Sequence, residues 1–220
     1  PSTETCDGID NNCNGEIDEG LSDKPVDLVF VLDISGSFDD KIESMISGIT
    51  PLLSDPVTTN FRFGLIVIGT WDRVNQDLMN SPFKNMRQVT NFVPADEFLD
   101  FLTAARTITS SGHEPSYDAM AFTMNGRFGF SFLEDSQKVI ILMTDEEGQT
   151  KTQPPMSSSH CQTLARQNGF EIYIFGPLIH WPSFSTILNN DQSRYFSPSA
   201  DAATVFQQIR DIFDDLCLGR

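Results

Sequence analysis

Asp33-Ile34-Ser35-Gly36-Ser37 places one carboxylate and two hydroxyls within five residues. Directly before it runs Val26 to Leu32, β-branched and nearly continuously apolar, the pattern of a strand buried on both faces. A tight strand-to-helix turn at that point lets all three side chains face one centre. Far along the chain a second buried run, Lys138 to Met143, ends abruptly in Thr144-Asp145-Glu146-Glu147-Gly148. Neighbouring parallel strands deliver their terminal side chains to one crevice, so Asp33 and Asp145 are expected to converge. Two acids that close repel each other, whereas a hard divalent cation takes oxygen ligands. Mg²⁺ does so in octahedral geometry at roughly 2.0–2.1 Å and keeps its remaining positions for water or a partner's oxygen. The competing reading is structural: Ser35 or Ser37 caps the helix that follows, with Asp40 completing a capping box.

The elements that must hold such a centre are legible as alternating apolar runs and amphipathic stretches. After the first strand, Phe38, Ile42, Met45, Ile46, Ile49, Leu52 and Leu53 recur at helical spacing, and Pro51 and Pro56 mark the exit. A strand over 61–69 leads into a polar stretch with Trp71, Asp72 and Arg73, then a short return strand around 86–90. Helices are expected over 95–105, 116–125 and 158–167, with a short one over 183–189. Strands are expected over 171–175 and near Tyr195, and the last helix uses Val205, Phe206, Ile209, Ile212, Phe213 and Leu216. This order predicts an α/β fold: a doubly wound, mostly parallel six-stranded sheet, Rossmann-like, with helices on both faces.

Composition narrows the partners. Fourteen Lys and Arg against thirty-one Asp and Glu give a formal charge of −17, which repels a phosphate backbone, so nucleic acid and anionic membrane are poor partners. No run of eighteen apolar residues occurs, so no membrane insertion is expected of this chain. It begins at Pro1 without a signal-peptide pattern and reads as an excised mature fragment. Four cysteines point to an oxidising compartment, hence to a secreted or cell-surface protein. Residues 1–24 carry too few strongly apolar side chains to pack a core and form a separate appendage; the main domain spans 25–217.

From about Pro25 to Leu216 the chain resembles the von Willebrand factor A family. Its metal-ion-dependent adhesion site uses D-x-S-x-S, a Thr or Glu from a middle loop, and a later Asp. The resemblance assigns these to Asp33, Ser35 and Ser37, to Glu114 in Gly112-His113-Glu114-Pro115-Ser116-Tyr117-Asp118-Ala119, and to Asp145. Glu at the middle position, followed by Asp118-Ala119, is similar to the integrin β-subunit version. Asp39 and Asp40 are similar to an acidic pair that serves an adjacent metal site there, shifted by one position. The resemblance implies Mg²⁺, Mn²⁺ or Ca²⁺ with one coordination position left for an acidic group of a protein or glycan partner. Trp71, His180 and Trp181 fall on loops expected to share that rim.

In the appendage, Asp10-x-Asn12-x-Asn14-Gly15-Glu16-x-Asp18 alternates oxygen donors around a glycine, the arrangement that wraps Ca²⁺. Leu21 stands where an EF-hand needs its bidentate Glu, so the loop is not an EF-hand. It is similar to the Cys-Asp-Gly-x-Asp-Asn-x-Cys metal-binding repeats of bacterial surface proteins. That likeness implies Ca²⁺ held by Asp10, Asn12, Asn14, Glu16 and Asp18 and a loop tightened by a Cys6–Cys13 disulfide.

A binding module, used in adhesion, is the expected function. A metal-dependent hydrolase is the rival from another class, since the same ion can activate water. His113, His160 and His180 show no H-E-x-x-H spacing, and neither a nucleophile elbow nor a Walker loop occurs, so no enzyme is expected. A passive, calcium-stiffened spacer is the third reading.

Overall fold

The computed structural model describes residues 4, 9–16, 18, 21, 24–70, 85–105, 107–108, 113–199 and 201–218, the Asp40 side chain apart. The strands are β1 (Val26–Asp33), β2 (Phe61–Ile68), β3 (Met86–Val93), β4 (Gln137–Met143), β5 (Phe170–Phe175) and β6 (Tyr195–Phe196). The helices are α1 (Asp39–Ile49), α2 (Ala95–Ala105), α3 (Ser116–Met124), α4 (Ser158–Asn168), α5 (Trp181–Phe184) and α6 (Ala202–Cys217). The sheet runs β3-β2-β1-β4-β5-β6, parallel throughout except for the β2–β3 pair. β1 therefore lies at the centre with every residue buried. Chain order reverses there, so the crevice beyond the ends of β1 and β4 is the place this fold offers a ligand.

Strand periodicity of two divides the apolar side chains between two cores. Leu28, Phe30 and Leu32 face α1, α2 and α6, while Val29 and Val31 face α3 and α4. On the first face the Phe63 ring lies tilted 5.2 Å from Phe98, and Phe61 lies 4.9 Å from Phe213. These rings tie α2 and α6 to β2. Such cores fix where each strand ends, and strand ends position the site.

Two expected elements differ. The return strand is eight residues long, Met86–Val93, because it pairs antiparallel with β2 through a register shift that lets it run on to Val93. The helix expected over 183–189 is instead Trp181–Phe184: Pro182 sits in its first turn. The chain then passes to turns, and Asn189 and Asn190 are left-handed at φ 56° and 61°.

The cysteines also correct an expectation. Cys13 is a free, exposed thiol, so the Cys6–Cys13 bridge is not formed. The loop is closed by carboxylates instead. Asp10 accepts the amides of Asn14 (3.1 Å) and Gly15 (2.7 Å), and Glu4 accepts those of Asn11 (3.4 Å), Asn12 (2.9 Å) and Asp18 (3.2 Å). Cys6 itself lies outside the described residues. Cys217 is disulfide-bonded, its partner also outside them. Cys161 is a buried free thiol on the α4 face, whereas α6 lies on the opposite one, so crossover handedness keeps these two apart. Burial, and then the Asp118 charge, push the Cys161 thiol up to about 12. A thiol reagent at pH 8 is therefore expected to label exposed Cys13 in the folded chain and to reach buried Cys161 far more slowly. Peptide mapping after timed labelling, with and without denaturant, checks this.

Candidate metal centre

β1 ends in Asp33, fully buried, with Ile68 of β2 opposite it. Leu32 pairs with Met143, so the next residue of the β4 segment, Thr144, comes level with Asp33. The Thr144 hydroxyl donates to Asp33 Oδ2 at 2.8 Å, and the Ser35 amide donates to Asp33 Oδ1 at 2.8 Å. The turn then curls so that Ser35 Oγ and Ser37 Oγ lie 3.0 Å apart, and Ser37 Oγ donates to Asp145 Oδ1 at 3.2 Å. Asp145 Oδ2 faces the Lys41 ammonium at 3.9 Å. Asp33, Ser35, Ser37, Thr144 and Asp145 thus form one continuous oxygen-lined turn assembled from the ends of adjacent strands.

The capping reading fails here. The serine side chains make no cap bond; the residue before α1 is Phe38, which has no capping side chain. Both hydroxyls are left to the turn itself. The Asp40 side chain lies outside the described residues, and Asp39 is exposed at the start of α1.

Glu114 arrives from the third segment. It is 3 % exposed and stands just before α3, whose start is pinned by the loop after β4. Gln149 accepts the Tyr117 amide on its backbone oxygen at 3.1 Å and donates its own amide to Ser116 Oγ at 3.3 Å. Asp118 is fully buried and accepts from Thr150 and Thr152 hydroxyls at 2.8 Å each and from the amides of Lys151 and Thr152. This anchors the loop beside Glu114. Burial pushes the Glu114 carboxyl up to about 7, and the charges of Asp33, Glu146 and Asp145 add to the rise. Burial likewise pushes Asp33 up to about 6, against the lowering bonds from Ser35 and Thr144, with Asp145 adding repulsion. Glu114 thus senses the charges of Asp33 and Asp145, but the three carboxylates are not gathered into a metal-holding group.

Among the described residues no group of three or more His, Cys, Asp or Glu side chains is arranged to hold a metal by itself. The oxygen donors at this turn are of mixed type, two strand-terminal carboxylates interleaved with three hydroxyls. Such all-oxygen sets suit hard cations rather than Zn²⁺ or copper.

Gly69 makes the turn possible. Its φ is +76°, and a Cβ there would lie 3.2 Å from the Ser35 amide and 3.3 Å from Asp33 Oδ1. Gly69→Ala is expected to cost about 1–2 kcal/mol through left-handed backbone strain alone. The added Cβ should also push Asp33 and Ser35 out of line. Denaturant midpoints of the variant beside the parent read the loss of stability.

The rim is only partly as expected. Trp71 lies outside the described residues. Trp181 is half-buried, edge-on to Tyr195 at 5.3 Å, and packs with the second core. His180 is half-buried beside it. The large side chains that stand out are Leu178 and Ile179, 59 % and 80 % exposed. Sequence reading missed these two, and it missed Lys41, because an exposed aliphatic or lysine has no signature without its surroundings. In the appendage, Asp10 and Asn14 turn their oxygens inward onto loop amides, and Glu16 donates its own amide to Asn14 Oδ1 at 2.8 Å. Glu4, also missed, is the hub of that loop.

Comparison with known proteins places the chain. No curated protein matches it. Among solved structures it is similar to proximal thread matrix protein 1 from the mussel byssus, in two crystal forms. One gives TM-score 0.66 at 13 % identity over 89 % of this chain and 48 % of that one. The other gives TM-score 0.62 at 13 % identity over 89 % and 49 %. The chain spans about half the length of these structures, and at such identity the likeness is one of fold. The family model of the von Willebrand factor type A domain matches residues 27–212, and the chain belongs to that family.

Proposed function

We propose that this domain binds a partner through a divalent cation held by Asp33, Ser35, Ser37, Glu114 and Asp145, with a coordination position left for a carboxylate of the partner. Membership of a family of adhesion and protein-interaction modules supports the general ligand-binding role. The observation that carries the finer reading is the burial of two carboxylates, Asp33 and Glu114, the first of them set in a turn lined by hydroxyls. Buried charges persist where they are paired or coordinate a metal. Mg²⁺, Mn²⁺ or Ca²⁺ would supply the countercharge and the Lewis-acidic contact to an incoming carboxylate. Ser35 and Ser37 would offer neutral oxygens, and Thr144 would hold Asp33 in its orientation. In the appendage, Asp10, Asn12, Asn14, Glu16 and Asp18 would hold Ca²⁺ as a local stiffener. A secreted or cell-surface setting and a protein or glycan partner bearing an acidic group complete the reading.

Calorimetric titration with Mn²⁺ tests it, with acetate as the carboxylate probe. The expected result is saturable binding that Asp33→Asn removes, and an electron-spin signal of bound Mn²⁺ that acetate alters by entering its coordination sphere. Undiminished Mn²⁺ binding by Asp33→Asn would defeat the proposal.

A further inference from the structure

Lys41 is placed where a cation is wanted. It sits on the first turn of α1, one helical turn after Ser37, so the two share a face of the chain's path into the helix. Its ammonium lies over the ring of the fully buried Phe38, with Nζ 5.7 Å from the centroid, and is 3.9 Å from Asp145 Oδ2. The other oxygen of that carboxylate takes the Ser37 hydroxyl. Asp145 is thus shared between a ligand hydroxyl on one side and a fixed positive charge on the other. Arg62 and Arg210, by comparison, pair with Asp27 and with Asp55 and Asp214, away from this turn.

We propose that Lys41 is a tethered competitor for the divalent cation: its ammonium contends with the ion for Asp145 and sets the site's affinity below what the oxygen donors alone would give. The inference rests on the cation reading of the same turn. Its physical basis is simple. A monovalent ammonium within a few ångströms of a ligand carboxylate repels a divalent ion and partly neutralises the ligand that would attract it. The surrounding water reduces both effects without removing them, because the Lys41 side chain is only 24 % exposed and the Asp145 side chain 13 %. A site so tempered empties as the external cation concentration falls and needs the extra oxygen of a partner to hold its ion firmly, which links partner binding to cation supply.

The test is the Mn²⁺ affinity of Lys41→Gln, Lys41→Met and Lys41→Arg beside the parent chain, with Asp33→Asn as the blank that separates this site from the appendage. Removing one unit charge near a divalent ion at the protein surface is expected to tighten binding roughly three- to tenfold in the Gln and Met variants. Lys41→Arg, which keeps the charge, is expected to stay within about twofold of the parent. Melting in chelator supplies a second readout: Lys41→Gln should melt lower than the parent there and gain more from added Mn²⁺. Equal or weaker Mn²⁺ binding by the Gln and Met variants overturns the proposal while leaving the cation reading intact. Absence of Mn²⁺ binding in parent and variants alike overturns both.

Discussion

Asp33→Asn is expected to lower Mn²⁺ affinity by more than roughly a hundredfold and yet, in chelator at neutral pH, to leave the domain more stable than the parent. The two halves have one cause. Asp33 is fully enclosed at the end of β1, and its carboxyl is raised from 3.8 to about 6, chiefly by burial. A carboxyl whose folded value exceeds its unfolded value binds more protons folded than unfolded, so its ionisation opposes folding. That penalty is complete above the folded value of about 6, shrinks as pH falls through it, and is gone below 3.8. At about 1.4 kcal/mol per unit its upper bound is on the order of 3 kcal/mol. Asparagine keeps the shape, can still accept the Ser35 amide, and removes the charge. Denaturant unfolding of both chains in chelator, at a series of pH values, should show the variant ahead near pH 7.5 and the two curves meeting near pH 4. A variant less stable than the parent at every pH would mean that the carboxylate serves the fold rather than an ion.

Arg62→Met is expected to destabilise the domain by about 3–5 kcal/mol without changing cation affinity. Asp27 is fully buried near the start of β1 and accepts Arg62 Nε at 2.7 Å, the Leu133 amide at 2.7 Å and the Ser136 hydroxyl at 2.7 Å. The guanidinium also donates to the Ser131 carbonyl at 3.0 Å and lies over the Phe92 ring at 4.8 Å. Taking away the cation leaves a buried carboxylate without its countercharge, the costly way to break a buried pair. Asp27→Asn with Arg62→Met together should recover part of the loss, because the enclosed charge then goes too. Six residues of strand, about 20 Å, separate Asp27 from Asp33, so the Mn²⁺ titration should be indifferent to either change. Loss of Mn²⁺ binding in a still-folded Arg62→Met chain would show that the two ends of β1 are coupled.

The contrast between these two aspartates marks what the sequence could carry. Period-two and period-3.6 patterns revealed the doubly wound sheet, since a strand buried on both faces must be apolar nearly throughout and covering helices must be amphipathic. That pattern also fixed where β1 and β4 stop, and therefore that Asp33, Ser35, Ser37 and Asp145 belong together: strand order and parallel pairing leave them no other place to go. It could not fix what depends on side chains meeting across about a hundred residues of chain. The competing role of Ser35 or Ser37 as a helix cap gave way to contacts of the two hydroxyls with each other and with Asp145. The bridge expected at Cys13 is not formed, while carboxylates of Glu4 and Asp10 gather the loop's amides. The short helix at 183–189 gave way to an earlier start at Trp181, beside Pro182. Lys41 acquired a role only when α1 carried it back over Asp145. Local periodicity determines which elements form and where they end, because each residue's burial is set by its near neighbours. Which polar groups share a hydrogen bond or a charge is decided by tertiary packing alone, because those partners are distant in the chain and the energy that selects them exists only once water has been excluded between them.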